Sequence, residues 1–399
     1  MVADGAGHYL DACATSPPAA AVLEAMASAQ VRAWANPSSL HGFGLDAAES
    51  LERSRLRLAE LLGCRAEEVV FSSGGSESIH LALLGAAAAL PTGRLVISAV
   101  EHPASVAAAQ QLQRQGWQLA IAPVDRLGRV DPEAFRRLLQ PPTRLVSLIW
   151  GQSEVGSLQP IAELGTLCRQ AGVLLHVDAV QVVGHQTVAF HQLPVDLLSL
   201  TAHKLQGPRG IGALLVREGV SIQAQIAGGG QEAGRRAGTE PVALAAGLVA
   251  ALELAAERLA SAGGQDPLLQ LRDPLLDTLL QRPGLCLSGP DPRAAEPRLP
   301  HHISLLVSDP DSGVPLSGRR LVQALWREGY AVSSGSACSS GQAADQRGLS
   351  PSPVLQAMGF PAEEASSGLR LSLGPWLQPQ HLLDLPNALD RARRAVAEV

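Results

Sequence analysis

Between about residues 50 and 216 the chain alternates short, almost unbroken apolar runs with amphipathic stretches, and this pattern limits the fold more than any other feature. The runs are Val69–Ser73, Leu95–Ala99, Gln118–Pro123, Arg144–Trp150, Val173–Val177, Asp196–Leu200 and Ile211–Val216. Segments such as LVSLIW and VLLHV lack the alternation of a half-solvated strand, which predicts strands covered on both faces. Helical periodicity lies between many of them, over Ala47–Leu62, Ser76–Ala89, Ala104–Gln115, Pro132–Leu139 and Ile161–Ala171. Asp131 followed by Pro132 is a helix cap with a first-turn proline. Strands joined through helices predict an α/β fold whose large domain holds a mostly parallel seven-stranded sheet covered by helices.

After Glu240-Pro241 the pattern changes. A long Ala/Leu helix over Val242–Ala262 stops at Gly263-Gly264, and a second helix falls near Pro267–Gln281. Strands at His302–Val307 and Leu369–Leu373 and an amphipathic helix over Gly318–Gly329 complete a smaller α+β domain. The 399 residues exceed what one core usually organises. The expected division is an N-terminal segment 1–15, a large domain 16–245 and a small C-terminal domain 246–399. Pro290–Pro300 reads as a loop, and Ser333–Ser352, rich in Ser, Gly, Ala and Gln, as a mobile loop with few anchors.

Composition removes several function classes. A formal charge of −6 leaves no basic footprint for nucleic acid and no polybasic membrane patch. The longest Ala/Leu stretch, Leu81–Leu90, is too short to span a bilayer and reads as a buried helix. Two acids and no basic region in MVADGAGHYLD argue against a secretory signal, so the expected location is the cytoplasm. The five cysteines (13, 64, 168, 286 and 338) are unpaired by spacing and odd in number, against a disulfide framework. No Cys/His spacing fits a metal site.

Three strand ends carry chemistry. Ser72-Ser73-Gly74-Gly75-Ser76-Glu77-Ser78 joins a strand to a helix, where small residues and free N–H groups suit an anion; an ordinary turn fits the same pattern. Gly42-Phe43-Gly44 mimics a dinucleotide fingerprint but has no strand before it. Asp178, in His176-Val177-Asp178, ends a buried strand where ligands bind in open α/β sheets, although a capping role suits it too. Thr201-Ala202-His203-Lys204 ends another. Lys204 is the only lysine among 31 basic residues, and a chain that otherwise uses arginine keeps an amine where imine chemistry is needed. A buried acid, an amine and a phosphate cup at three strand ends describe a pyridoxal 5′-phosphate site. His102 ends the strand beside the cup, placed to stack on a ring or merely to cap a helix. Cys338, in Ser336-Ala337-Cys338-Ser339-Ser340-Gly341, is an accessible nucleophile or an incidental thiol, and Arg370 a carboxylate clamp or a structural ion-pair partner.

Together these residues resemble the cysteine desulfurases, in the NifS/IscS-like branch of the class V aminotransferase group (fold type I). The resemblance runs nearly end to end, through Tyr9-Leu10-Asp11 with Ala14-Thr15, Asn36-Pro37-Ser38-Ser39 with His41, the serine–glycine cup, Glu101-His102-Pro103 and His176–Gln181. It continues through His203-Lys204, Gly228-Gly229-Gly230-Gln231-Glu232, Arg235-Arg236 with Gly238-Thr239-Glu240, the Cys338 loop and the Arg370 strand. It implies that Lys204 forms the imine with the cofactor and Asp178 pairs with its pyridine nitrogen. Gln181 would face the ring hydroxyl, His102 stack on the ring and handle protons, and Gly75, Ser76, Thr201 and His203 hold the phosphate. Thr239 would reach the other subunit's cofactor, which implies a homodimer. Arg370 would bind the substrate carboxylate, with Ser153 beside the substrate where the family usually has Asn; Ser76 stands where Thr is commoner. Cys338 would accept sulfur from L-cysteine as a persulfide and pass it to an acceptor protein, an iron–sulfur scaffold or a sulfur carrier. A lyase or aminotransferase of the same group would need Lys204 and Asp178 but no loop cysteine, and a silent scaffold would need neither.

Overall fold

The seven apolar runs all become strands of one sheet, close to their expected bounds: β1 Val69–Ser72, β2 Arg94–Ser98, β3 Gln118–Ala122, β4 Thr143–Ile149, β5 Leu174–Asp178, β6 Leu197–Thr201 and β7 Gly212–Val216. The computed structural model describes residues 7–335 and 351–398. The strand order is β1-β7-β6-β5-β4-β2-β3. Only β7 is antiparallel to its neighbours; the β6–β5, β5–β4, β4–β2 and β2–β3 pairs are parallel. The carboxyl ends of β1, β2, β4, β5 and β6 therefore open onto a single edge of the sheet, where open α/β sheets bind ligands.

Both faces of the sheet are covered. Val69 and Phe71 of β1 join one hydrophobic core and Val70 the other; Ala213 and Leu215 of β7 face opposite to Leu214 and Val216. On the first face lie α1 Ala20–Arg32, α2 Gly42–Leu62, α5 Pro132–Leu138, α6 Ile161–Ala171 and α7 Val242–Ser261, and on the second α3 Gly75–Ala89 and α4 Pro103–Arg114. Two differences from the sequence reading stand out. Helix α2 begins at Gly42 rather than Ala47, because His41 Nδ1 accepts the Gly44 N–H (3.2 Å) and caps the first turn. Helix α1 was not anticipated: only Val22 and Ala29 of its residues are buried, so its stripe is weak, and packing along α7 holds it.

A second core surrounds a three-stranded antiparallel sheet, β10-β9-β8, formed by β8 Leu285–Leu287, β9 His302–Val307 and β10 Gly368–Ser372. Helices α8 Leu269–Leu280, α9 Gly318–Arg327 and α13 Leu385–Ala397 pack on it through Leu276, Leu321, Leu325 and Leu389, joined by Leu382 of the short helix α12 Pro379–Leu382, whereas the short helices α10 Pro353–Ala357 and α11 Ala362–Ala365 pack with Val100, Ile149 and Val155 in a separate cluster. The N-terminal segment ties the two cores together. Leu10 is buried in the small core, Tyr9 and Asp11 bridge to Ala331 and Ser372, and Ser16 then bonds back to the His203 carbonyl (2.8 Å). No helix among the described residues is long and apolar enough to cross a membrane.

Candidate functional site

The edge where the strand ends meet is built from four loops. The first follows β1. Gly212 of β7 passes so close that a Cβ on it would stand 2.8 Å from Gly74 Cα, and one on Gly75 would stand 2.9 Å from Val180 Cγ2, so only glycine lets β7, the β5 loop and the α3 N-terminus converge. Ser72 and Ser78 share a hydroxyl hydrogen bond (2.6 Å) that closes the turn. No side chain caps α3 at Gly74, which leaves the N–H groups of Gly75 and Ser76 and the positive end of a fifteen-residue helix facing the edge. Thr201, at the end of β6, flanks this cup with its Oγ1, which donates to the Ile211 carbonyl (3.2 Å).

The second loop follows β5. Asp178 is 4% exposed and pairs in register with Ile149 and Ser199. Its Oδ1 accepts the Val180 N–H (3.0 Å). Burial pushes this carboxyl above its ordinary value, and His102, the Val180 N–H and Lys204 oppose that shift. Gln181, also buried, donates from Nε2 to the Cys13 carbonyl (3.0 Å).

The third loop follows β6. Lys204 donates from Nζ to the carbonyls of Cys13 and of Ala14 (2.7 Å in the latter). His203 shares a hydrogen bond with Thr15 Oγ1 (3.1 Å), and burial, with Lys204 and Arg209 adding to it, pushes its imidazole down to about 4. The fourth loop follows β2, where His102 caps α4 by accepting the Ala104 N–H at Nδ1 (3.1 Å). Burial lowers the His102 value and Lys204 adds to that, whereas Asp178 raises it, so the acid, the imidazole and the amine sit within electrostatic reach of one another.

Arg370 enters from the small domain. It is 2% exposed on β10, ion-paired from Nη2 to Asp11 Oδ1 (2.7 Å), and donates from Nη1 to the Ser153 carbonyl (3.1 Å). Ser153 thus meets Arg370 through its backbone, and the same carbonyl shares a hydrogen bond with His302 Nε2 (3.0 Å). Thr239 lies elsewhere: it is exposed and lines a surface cavity of about 510 Å³ with Trp34 and Asn36. Cys338 lies outside the described residues. Of the expected loop 333–352 the structure describes the flanks, where Ser333 pairs with Arg370 through two backbone hydrogen bonds (3.1 and 2.7 Å) and Ser352 is fully buried.

Residues 8–381 match the family of class-V aminotransferases. The chain belongs to the aminotransferase class-V family. Among its relatives is the cysteine desulfurase IscS of Dictyoglomus turgidum, 37% identical over 98% of this chain and 95% of that one. A solved NifS-like protein superposes with a TM-score of 0.86 at 29% identity, covering 98% of this chain and 99% of the other. A second solved structure, SspA in complex with cysteine, gives a TM-score of 0.77 at 28% identity over 93% of this chain and all of its own.

Class-V aminotransferases and cysteine desulfurases depend on pyridoxal 5′-phosphate, and the edge residues fit that group. The uncapped α3 N-terminus suits a phosphate. The buried Asp178 carboxylate makes no salt bridge among the described residues and needs a cationic partner, which a protonated pyridine nitrogen provides. An amine stands at the neighbouring strand end. This fit also accounts for an α/β sheet whose polar groups crowd one edge.

Sequence reasoning missed four contributors, Cys13, Ala14, Asp11 and Glu101. The carbonyls of Cys13 and Ala14 hold the Lys204 amine, and Asp11 holds Arg370; the motif Tyr9-Leu10-Asp11…Ala14-Thr15 marked this segment without giving it a task. Glu101 lies buried behind Asp178, its Oε1 accepting from Ser98 Oγ (2.6 Å) and the Ile149 N–H (2.8 Å). Burial, with Asp178 adding to it, pushes this carboxyl up to about 8. An acid directly after the apolar Ala99-Val100 was the available signal.

Proposed function

We propose that the protein is a cysteine desulfurase: L-cysteine and the Cys338 thiol become L-alanine and a Cys338 persulfide. The carbon–sulfur bond of the substrate breaks, its carbon gains a proton in place of sulfur, and the sulfur atom bonds to Cys338. The observation that carries this reading is the meeting of the sole lysine, the buried Asp178 and the uncapped α3 N-terminus at one sheet edge, in a chain similar over 98% of its length to a cysteine desulfurase.

Bound pyridoxal phosphate supplies an aldehyde for imine formation and a ring that takes up negative charge. The N–H groups of Gly75 and Ser76, with Thr201 and His203, would hold the phosphate; Asp178 would keep the ring nitrogen protonated, and Gln181 would serve the ring hydroxyl. His102 would stack on the ring and handle protons, with burial holding its imidazole below its ordinary value. Lys204 would supply the primary amine that takes the Cα proton of the substrate. Arg370 binds the substrate carboxylate, held in aim by Asp11 and the Ser153 carbonyl. Ser153 contributes this carbonyl to the clamp. Cys338 receives the sulfur and delivers it to an acceptor protein for iron–sulfur cluster or thio-cofactor assembly, in the cytoplasm.

The reading includes a homodimer in which Thr239 serves the cofactor of the second subunit. Its exposed position supports this, as does the neighbouring exposed apolar surface of Val31, Trp34, Leu40 and Phe43. It also includes two domains, supported by the separate cores around the two sheets, although helix α7 packs along its length on the first core, which moves the boundary from residue 246 to the end of that helix.

The test is incubation of the cofactor-loaded protein with L-cysteine, followed by mass analysis of the Cys338 peptide and of the amino-acid product. Added sulfur on Cys338 with matching L-alanine supports the reading, and Cys338→Ser then keeps the cofactor while losing sulfide release on reduction. Pyruvate in place of L-alanine, or turnover that leaves Cys338 unmodified, overturns it in favour of a lyase.

A further inference from the structure

The small sheet has two unlike faces. Leu369, Leu371, Ile303 and Leu305 turn one face into the small core, whereas Arg370, Ser372, His302 and Ser304 occupy the other and are buried as well. Arg370 pairs in register with Ser304, and His302 with Ser372, so Arg370 and His302 are diagonal neighbours on that polar face. They meet at one atom. The Ser153 carbonyl accepts from Arg370 Nη1 (3.1 Å) and shares a second hydrogen bond with His302 Nε2 (3.0 Å). A carbonyl oxygen has two lone pairs, and here a donor stands at each.

The partners of His302 decide its tautomer. Ser153 offers it a carbonyl, which only accepts, so Nε2 carries the hydrogen. Nδ1 faces Arg298 Nη1 (3.5 Å), which only donates, so Nδ1 is bare. Arg298 is itself fixed, with Nε on the Pro290 carbonyl (2.7 Å) and Nη2 on that of Ser288. Burial, with Arg298 and Arg370 adding to it, holds the His302 imidazole well below its ordinary value. The ring has little room to turn. Gly156 packs against it with φ of 76°, and a Cβ there would stand 2.7 Å from Nδ1 and 3.2 Å from Arg298 Cγ. The turn that carries Ser153 is held too, since Gln152 Oε1 accepts the Val155 N–H (3.1 Å) and the Gly156 carbonyl accepts the Leu299 N–H (2.8 Å). His302 is thus a fixed, uncharged donor that no step of the proposed reaction uses.

We propose that His302 is a positioning residue for substrate recognition: its Nε2–H holds the Ser153 carbonyl in place for Arg370 and so fixes the plane of the guanidinium that takes the carboxylate of the amino acid. The inference rests on the reading that Arg370 binds that carboxylate, and adds to it the group that keeps the clamp aimed. Arg370 spends one terminal nitrogen on Asp11 and the other on Ser153, so its plane is only as fixed as those two acceptors. A peptide carbonyl at a turn rocks unless a second donor holds it, and His302 is that donor. Neutrality matters as much as reach. An imidazolium at the same place would set another buried positive charge beside Arg370 and Arg298, at a cost that no carboxylate of its own offsets before substrate arrives.

The test compares cofactor-loaded His302→Leu, His302→Asn and His302→Gln with the unchanged protein in two measurements. The first is equilibrium binding, followed by the change in visible absorbance, with L-alanine as a probe that carries the carboxylate and L-alaninamide as one that lacks its charge. The second is L-alanine formation as a function of L-cysteine concentration. His302→Leu has no donor, and His302→Asn is polar but too short to reach the Ser153 carbonyl. Both should weaken L-alanine binding about tenfold and raise the KM for L-cysteine about tenfold, with L-alaninamide binding and kcat within about threefold. His302→Gln, whose amide N–H reaches as far as Nε2, should stay within about threefold of the unchanged protein throughout. Unchanged L-alanine binding in His302→Leu overturns the proposal. An equal loss for both probes also overturns it, as the mark of a disturbed fold, and so does a fall in kcat at constant KM. Should His302→Leu fail to fold, His302→Asn decides by the same criteria. An unchanged protein that favours L-alanine over L-alaninamide yet forms no L-alanine from L-cysteine defeats the desulfurase reading alone, because the two probes still report on His302. One that binds the probes alike removes the Arg370 clamp and the role of His302 together.

Discussion

The Lys204 amine rests on the peptide carbonyl of Cys13, 191 residues earlier in the chain. Gln181 donates to the same oxygen (3.0 Å), and Ala14 adds a second carbonyl to the amine (2.7 Å). An ammonium at a sheet edge is costly to desolvate, and these carbonyls offset that cost in the cofactor-free protein. They also pin the direction of the side chain, so the N-terminal segment orients the lysine through its backbone rather than its side chains.

Replacing Lys204 with Arg keeps a positive charge that still donates to those carbonyls, but a guanidinium forms no imine. The protein should fold and retain its circular-dichroism spectrum while losing the visible absorbance of an imine-bound cofactor. L-Alanine formation from L-cysteine should fall by about 10³-fold or more. Turnover within tenfold of the unchanged protein would show that another group does the work assigned to this amine.

Glu101 should make stability depend on pH. Its carboxyl is raised from 4.5 to about 8 by burial, with the Asp178 charge adding to the effect. The folded protein holds this proton up to about pH 8 while the unfolded chain releases it near 4.5, so the stability it contributes is complete below 4.5 and is lost as pH rises through 8. Glu101→Gln removes the titration. The difference in unfolding free energy between the unchanged cofactor-free protein and this variant, followed by urea titration, should decline across that window with a slope approaching about 1.4 kcal/mol per pH unit. A difference that is flat with pH would mean that the carboxyl is already ionised in the folded state.

The sheet was legible because strands covered on both faces leave unbroken apolar runs, as in VVFS and GALLV. Lys204 was legible because it has no other lysine to hide among. What escaped was the backbone: the Cys13, Ala14 and Ser153 carbonyls act through an atom every residue carries, so residue type leaves no trace of it. Helix α1 escaped for a different reason, since its residues bury little and tertiary packing supplies what local pattern lacks. Ser153 shows both effects at once. Its hydroxyl drew attention, whereas its carbonyl touches Arg370.

Arg370→Lys should separate substrate binding from chemistry. The guanidinium uses one nitrogen on Asp11 and another on the Ser153 carbonyl, a fork that a point-charge ammonium does not reproduce. The KM for L-cysteine should rise about tenfold or more, with a smaller change in kcat, measured as L-alanine formation under steady-state conditions. A fall in kcat at constant KM would assign Arg370 to the chemical step.

The loop that presents Thr239 is held by a buried ion pair, which makes its geometry testable through stability. Glu232 stands in the left-handed backbone region (φ 49°) and is buried. Both carboxylate oxygens accept from Arg55 (2.8 Å each), and Oε2 also accepts the Phe71 N–H of β1 (2.8 Å). Removing Glu232 leaves the Phe71 N–H unsatisfied and the partly buried Arg55 with only Glu52 and the Val69 carbonyl, so Glu232→Ala should destabilise the fold by about 1–3 kcal/mol in urea titration. Arg55→Ala combined with Glu232→Ala should cost clearly less than the sum of the two single changes, because the second change removes a charge already stranded by the first. If Thr239 completes the site of a second subunit, freeing the loop that carries it should also raise the monomer fraction in sedimentation at protein concentrations where the unchanged chain is dimeric. A stability loss without any change in association would confine Glu232 to tying the loop onto β1 and α2, with no part in pairing two copies of the chain.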